Sequence, residues 1–498
     1  MGYPRLDLGS AAVCRYLAIG GCLLAVLGAK LWLIASVGNP TPIWDQWDGE
    51  AAALYLPYLS GTLSPFDLLN FHNEHRIALT RATALALLYL SGSWDPILQM
   101  LFNALVHVLA IGLLAVLLGR LLNLASLMFF LGFVLLFFSV PFGWDNTLGG
   151  FQSQFYFMIL LSLLSLYLLC HAGAWSMSWW VGTLLAFAGY FSIASGAMIL
   201  PAAIVLAAMQ LALGARTGVR ELAGLALHAV ISIALLHDLL RNSAHQDIHA
   251  NSLWQLINWF LVSASWPIAA TSWPAALRII PAALVNASAV VLAVQVLMQR
   301  PSITDRRWYC LAIAAWFAAQ LLVLSYGRPG GTLESRYNDI FLVGLVLNCA
   351  CWLYLISAPD GGPVRHKAIL WGPAIWLLAI MLGAGQKATN NVVDGISLRY
   401  GTGQQQLENV KNFVATGDFA HLDNKPKLHI PYPSAERLRD LLSETKLRTI
   451  LPAALTGAPE RVSIKAAVLA HGPMLIPLGL AFFVIAAMAA YQLGRKSE

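Results

Sequence analysis

The chain has 498 residues, of which 58% are hydrophobic and 11% charged, with a formal net charge of +6. A soluble domain carries roughly a quarter charged residues, so this composition cannot coat a water-facing surface and excludes a soluble globular protein. The surplus of lysine and arginine flanks apolar runs, which argues against nucleic acid as a partner.

Runs of about 20 apolar residues have the length that a helix needs to cross a hydrocarbon core. Lipid offers no partner to open backbone groups, so such runs are helical. Runs and breakers predict an all-α polytopic protein of about twelve spans. They lie near 16–38, 96–118, 121–141, 154–171, 176–193, 197–214, 221–240, 278–298, 308–326, 339–357, 368–385 and 467–492. The first follows Arg5 and Arg15 and has no small-residue cleavage site after it, so it reads as a retained signal-anchor. With the N-terminus inside, the short inner loops hold Arg120, Arg216, Arg220, Arg300, Arg306, Arg307, Arg365 and Lys367, and Arg495 and Lys496 are inside too. The six cysteines, Cys14, Cys22, Cys170, Cys310, Cys349 and Cys351, fall in or beside spans and imply no disulfide framework.

Two outer segments are long. Residues 39–95 contain a helix at 77–90 that is too short to cross and is expected to lie at the interface. Residues 386–465 are polar and contain two amphipathic helices, 404–415 and 434–445, the second with Ser434 as N-cap. The chain thus divides into a membrane module, 1–385, an extracytoplasmic segment, 386–465, and a last span with a cytoplasmic tail, 466–498.

The chemistry-bearing residues gather on the outer side. Asp45, Asp48 and Glu50 follow the first span and are bracketed by Trp44 and Trp47. Either the acids cap the next helix and the indoles anchor it at the interface, or they form a base and a substrate-binding acid against an aromatic wall. His72, Glu74, His75 and Arg76 follow in the same loop. Their spacing matches no dedicated zinc pattern, so phosphate or sugar binding, a divalent metal and plain loop polarity all stay open. Asp145 and Asn146 end the third span, with Gln152 just beyond, as a cap and turn or as hydroxyl-binding groups. Arg336 and Tyr337 stand where the tenth span begins. Arg336 either pairs with Glu334 or Asp339 or grips a phosphate. Lys30, inside the first span, either snorkels outward or points into the same cavity.

This layout resembles the GT-C superfamily of integral-membrane glycosyltransferases, of the lipid A aminoarabinose transferase and protein O-mannosyltransferase type. Members place an acid, often as an Asp-Glu pair, after the first span, then interfacial helices, then a second acid after the third span. Asp45 and Asp145 stand at those places, and Gly61 matches a glycine that ends the first interfacial helix. Gln46 replaces the usual glutamate, and Ser195, in Phe191–Ala197, replaces the lysine of a Lys-Gly turn. The resemblance covers roughly residues 1–340. It implies inverting transfer of a sugar from a polyprenyl-phosphate donor to an extracytoplasmic glycan, lipid or protein, at a bacterial inner membrane and facing the periplasm. Asp45 would be the base and Asp48 the second choice. Asp145 or Glu50 would orient the acceptor, and Arg336 with His72, His75 or Arg76 would hold the phosphate. No cofactor is assigned. Other readings are a glycan polymerase or ligase, a lipid-linked sugar flippase or transporter, and a non-catalytic assembly protein.

Overall fold

Each of the twelve apolar stretches is helical in the computed structural model, which describes residues 10–241, 248–331, 333–357, 367–458 and 464–497. The expected inner-loop residues Arg5 and Arg365 lie outside the described residues. The helices over these stretches are Ala11–Val37, Pro96–Gly119, Leu124–Ser139, Ser153–His171, Met177–Tyr190, Ile199–Ala212, Val219–Arg241, Ala275–Gln299, Arg307–Gly327, Asn338–Ser357, Lys367–Lys387 and Leu475–Ser497. Among the described residues, nine helical segments combine the length and the apolar character needed to cross a membrane. The chain is therefore an all-α multi-pass membrane protein. A further apolar helix, Leu253–Ala264, went unforeseen because its 12 residues are too few to register as a span.

The first and last helices meet backbone to backbone. A Cβ added at Gly21 would come within 2.7 Å of the Gly479 carbonyl oxygen, and one at Gly28 within 2.7 Å of the Ile476 nitrogen. In lipid, association lacks a hydrophobic drive, and small residues that let backbones approach take its place. This contact holds the two ends of the chain side by side.

At one end of the bundle, three arginines expected inside, Arg15, Arg216 and Arg306, satisfy carbonyls at helix ends. Arg15 donates to the carbonyls of Gly119 and Leu122, at 3.3 and 2.7 Å. Arg306 donates to that of Arg120 at 2.7 Å, and Arg216 to those of Leu169 and Ala172.

At the opposite end, the two long outer segments fold together. Trp47, Leu54 and Trp94 of the first join Phe413, Leu438, Leu442 and Leu447 of the second in one buried cluster. The short apolar helix expected at 77–90 is Ala78–Ser91, Gly61 takes a left-handed φ of 70° to end Leu56–Ser60, and Ser434 caps Ala435–Ser443 by accepting from Arg437. The helix expected at 404–415 is longer, Asp394–Thr416, and continues from Lys367–Lys387 through the π-helical turn Ala388–Val393. The one sheet among the described residues is a hairpin pairing Phe71–His72 with His75–Arg76, turned at Asn73 with a φ of 51°.

The glycine contact makes a stability prediction. Gly479→Leu should destabilise the protein by about 1–3 kcal/mol, the usual cost of overpacking a tight interface, and should lower the melting temperature in detergent. Gly20→Ala, whose new methyl meets nothing within 4 Å, should leave it unchanged.

Candidate functional site

Where the bundle meets the outer lobe there is an open cavity of about 490 Å³. The first helix stops at Val37, and the chain then reaches Trp44, whose φ of 48° is left-handed and strained for a bulky residue. Its amide donates to the Pro431 carbonyl at 2.8 Å, so the second outer segment holds the strained turn in place. Asp45 follows, just ahead of the π-helix Gln46–Tyr55, and makes no capping hydrogen bond. Its half-exposed carboxylate lines the cavity instead, so the capping alternative for this residue falls.

Trp44 and Trp144 both line the cavity, as do Asp145, Gln152, Glu334 and Arg336. The stretches singled out after spans one, three and nine therefore converge. The turn Trp144–Thr147 is fastened to residues 335–339 at several points. The Asp145 amide donates to Ser335 Oγ at 3.1 Å, and the buried Asn146 side chain donates to the Arg336 carbonyl at 2.7 Å and to Asp339 at 2.8 Å. Arg336 forms an ion pair with Glu334, which settles its partner, and its guanidinium sits 5.4 Å from the Tyr337 ring. Tyr337 itself is buried and packs edge-on to Phe155.

Behind Asp45 lies His72, nearly buried, with Nε2 at 3.7 Å from the carboxylate. That is ion-pair range, longer than a hydrogen bond. Burial by itself would raise the Asp45 carboxyl, but His72, Arg336 and His75 together hold it below its ordinary value. Asp145 goes the other way: its burial outweighs Ser335, Arg336 and Arg399 and raises it. The site thus keeps one carboxylate charged and makes a second one easier to protonate.

Four expected site residues are used elsewhere. Asp48 faces the second outer segment, accepting from Tyr432 at 2.5 Å and pairing with Arg437 at 3.4 Å. Glu50 is completely buried and accepts from Trp94, Gln99 and Gln46 at 2.7, 2.9 and 3.1 Å. Arg76 grips Asp238 with two hydrogen bonds of 2.9 and 3.1 Å. Glu74 binds Arg328 and lies 3.8 Å from His75, which burial pushes down to about 4. None of these four side chains lines the cavity, and neither do His72 and His75. Among the described residues, no three His, Cys, Asp or Glu side chains are grouped to hold a metal ion.

The second long segment, expected on the side of the site and in touch with the acceptor, supplies residues that its sequence did not single out. Gly395, Leu398, Arg399, Thr402, Gln406 and Leu428 form one wall of the cavity. A polar helix gives no hint in its own pattern of which face meets a distant loop. Lys30 is buried and reaches Thr147 Oγ1 at 3.4 Å, beneath the cavity, so it does not snorkel outward.

The Glu50 pocket has a pH consequence. Burial pushes this carboxyl up from 4.5 to about 7, against the pull of its three donors. Below pH 4.5 the group is protonated whether the chain is folded or not. Between 4.5 and 7 only the unfolded chain gives up the proton, so the folded state loses stability as pH rises. The melting temperature should fall across that window, by the equivalent of on the order of 3 kcal/mol. In Glu50→Gln, the part of the slope due to this group should disappear. An identical slope in both proteins would show that Glu50 is ionised throughout. No protein-family model, curated protein or solved structure matches the chain, so the roles of these residues rest on their geometry.

Proposed function

We propose that the protein is a glycosyltransferase of the GT-C type, moving a sugar from a polyprenyl-phosphate donor to an extracytoplasmic acceptor with inversion. One observation carries the reading: Asp45, Asp145 and Arg336, from three separate outer turns, meet in one cavity beside the membrane helices. In this reading all twelve apolar helices span the membrane, the arginine-rich end faces the cytoplasm by the positive-inside rule, and the cavity faces outward. The membrane is the bacterial inner membrane.

The chemistry suits the residues. Asp45, kept ionised and half-exposed, accepts the proton of the acceptor hydroxyl as that oxygen attacks the anomeric carbon. The bond between the anomeric carbon and the phosphate oxygen breaks, and the departing lipid phosphate gains one negative charge. A phosphate needs no proton to leave, unlike the alkoxide of glycoside hydrolysis, so a second carboxylic acid is not required. Guanidinium groups in the cavity stabilise the growing charge. Trp44 and Trp144 offer apolar walls to sugar rings, and Asp145 and Gln152 offer acceptors to hydroxyls. A lipid-linked donor accounts for a cavity at the membrane boundary, because the leaving group stays in the bilayer. A glycan polymerase or ligase would use the same donor chemistry.

One observation favours the transporter or flippase reading instead. Lys30, His107 and Asp339 are buried within the bundle, with His107 Nε2 at 3.7 Å from Asp339. Ionisable groups at membrane depth often mark a transport path. Here, though, the same group also anchors the turn that carries Asp145, through Asn146.

Purified protein supplied with polyprenyl-phosphate sugars and candidate acceptors should form a new glycosidic bond. Asp45→Asn should reduce that rate by at least 10³-fold, with normal expression and melting. Asp48→Asn and Glu50→Gln should retain transfer, because neither side chain lines the cavity. Movement of labelled substrate across vesicles with no new bond would refute the enzyme in favour of a transporter.

A further inference from the structure

We infer that the second outer segment supplies the anion-binding cation of the cavity, Arg399, and that its ligand is a phosphate group. The inference rests on the proposed reading only in identifying that phosphate with the lipid-linked donor.

Of the two cations that line the cavity among the described residues, Arg336 and Arg399, Arg399 is the one with no carboxylate partner. Arg336 is paired with Glu334, Arg328 with Glu74, Arg76 with Asp238, Arg437 with Asp48 and Lys465 with Asp95. Arg81 donates to the carbonyls of Asp67, Leu68 and Asn70. Arg399 differs from all of them. Among the described residues no carboxylate lies within 4.0 Å of its guanidinium, and the hydrogen bond it makes is one of 3.3 Å to Gln406 Oε1. Its side chain lines the cavity rather than facing bulk water.

Among the described residues, four of the five N–H donors of Arg399 make no hydrogen bond to the protein, and the side chain opens on the cavity. Its planar fork matches two phosphate oxygens at once. Burial depresses the charged form of Arg399, and the field of Asp145 works against that. Asp145 therefore competes with any incoming anion. Because burial also makes Asp145 easier to protonate, an anion on Arg399 and a proton on Asp145 favour one another.

The position fits the proposed reaction. Arg399 comes from the Asp394–Thr416 helix, which continues out of the membrane helix Lys367–Lys387. Asp45 enters from the first outer segment, so the base and the phosphate-holding cation come from separate elements. The acceptor oxygen and the leaving oxygen of an inverting displacement need such separation, since they occupy opposite faces of the anomeric carbon.

The test measures binding to the full-length protein in detergent, with undecaprenyl phosphate, undecaprenol and inorganic phosphate as probes. Wild type should bind undecaprenyl phosphate at least 10-fold more tightly than undecaprenol. Arg399→Gln should lose that 10-fold preference, Arg399→Lys should keep part of it, and Asp145→Asn should tighten phosphate binding by removing the competitor. An unchanged melting temperature in Arg399→Lys and Arg399→Gln checks that each variant is folded. Equal preference for the lipid phosphate in wild type and Arg399→Gln would overturn the inference while leaving the donor reading intact. Inorganic phosphate bound through Arg399, with undecaprenyl phosphate ignored, would uphold the anion site and refute the lipid donor.

Discussion

The outer lobe depends on one packing constraint: neither of its two long segments has a core without the other. Trp47 and Trp94 lie against each other with ring centroids 5.1 Å apart, and Phe413, Leu438 and Leu442 close the same cluster from some 350 residues further along. Burying each such side chain is worth roughly 1.5–3 kcal/mol, enough in sum to hold the segments as one body. The glycine contact between the first and last membrane helices makes that pairing inexpensive in entropy. It places the start of the first segment beside the end of the second. Trp44 shows the coupling at a single residue, since its left-handed backbone is held by the hydrogen bond its amide donates to Pro431 of the far segment.

Residues 39–95 belong by sequence to the membrane module and 386–465 to the segment after it, far apart in the chain. Backbone and side-chain bonds tie them together instead: Trp94 N–H to the Ile450 carbonyl at 2.7 Å, Tyr432 to Asp48, and Lys446 to Ser60 at 3.0 Å. Long-range pairing of this kind leaves no trace in local periodicity. What periodicity does reveal is each element alone, and there the helical stretches and the Ser434 cap agree with the structure.

The acids after the first span show how far spacing alone places a side chain. Three carboxylates in six residues mark a polar site, and Asp45 does reach the cavity. Asp48 and Glu50 sit on one helix two positions apart, which sets their side chains on nearly opposite faces. One face meets Tyr432 and the other meets Trp94, so the two cannot share a site. That geometry was available from spacing alone. Which face would be buried was not, because it depends on the segment that arrives last.

Beneath the cavity floor, a second set of charges explains why the convergence is rigid. Lys30, His107 and Asp339 come from three different membrane helices, and Asn146 links Asp339 to the backbone of Arg336. A charge buried in the bilayer is tolerated when it is paired and hydrogen-bonded. Slippage of any one helix would strand a charge in hydrocarbon, so the set fixes the register of the helices that carry it. Asp145 and Arg336 stand directly above this set, on backbone held by the same side chains. Their separation is consequently set by the membrane bundle, whereas Trp44 and Arg399 are set by the outer lobe. The cavity is the seam between two bodies, one locked by charge and the other by aromatic packing, and a substrate bound there touches both.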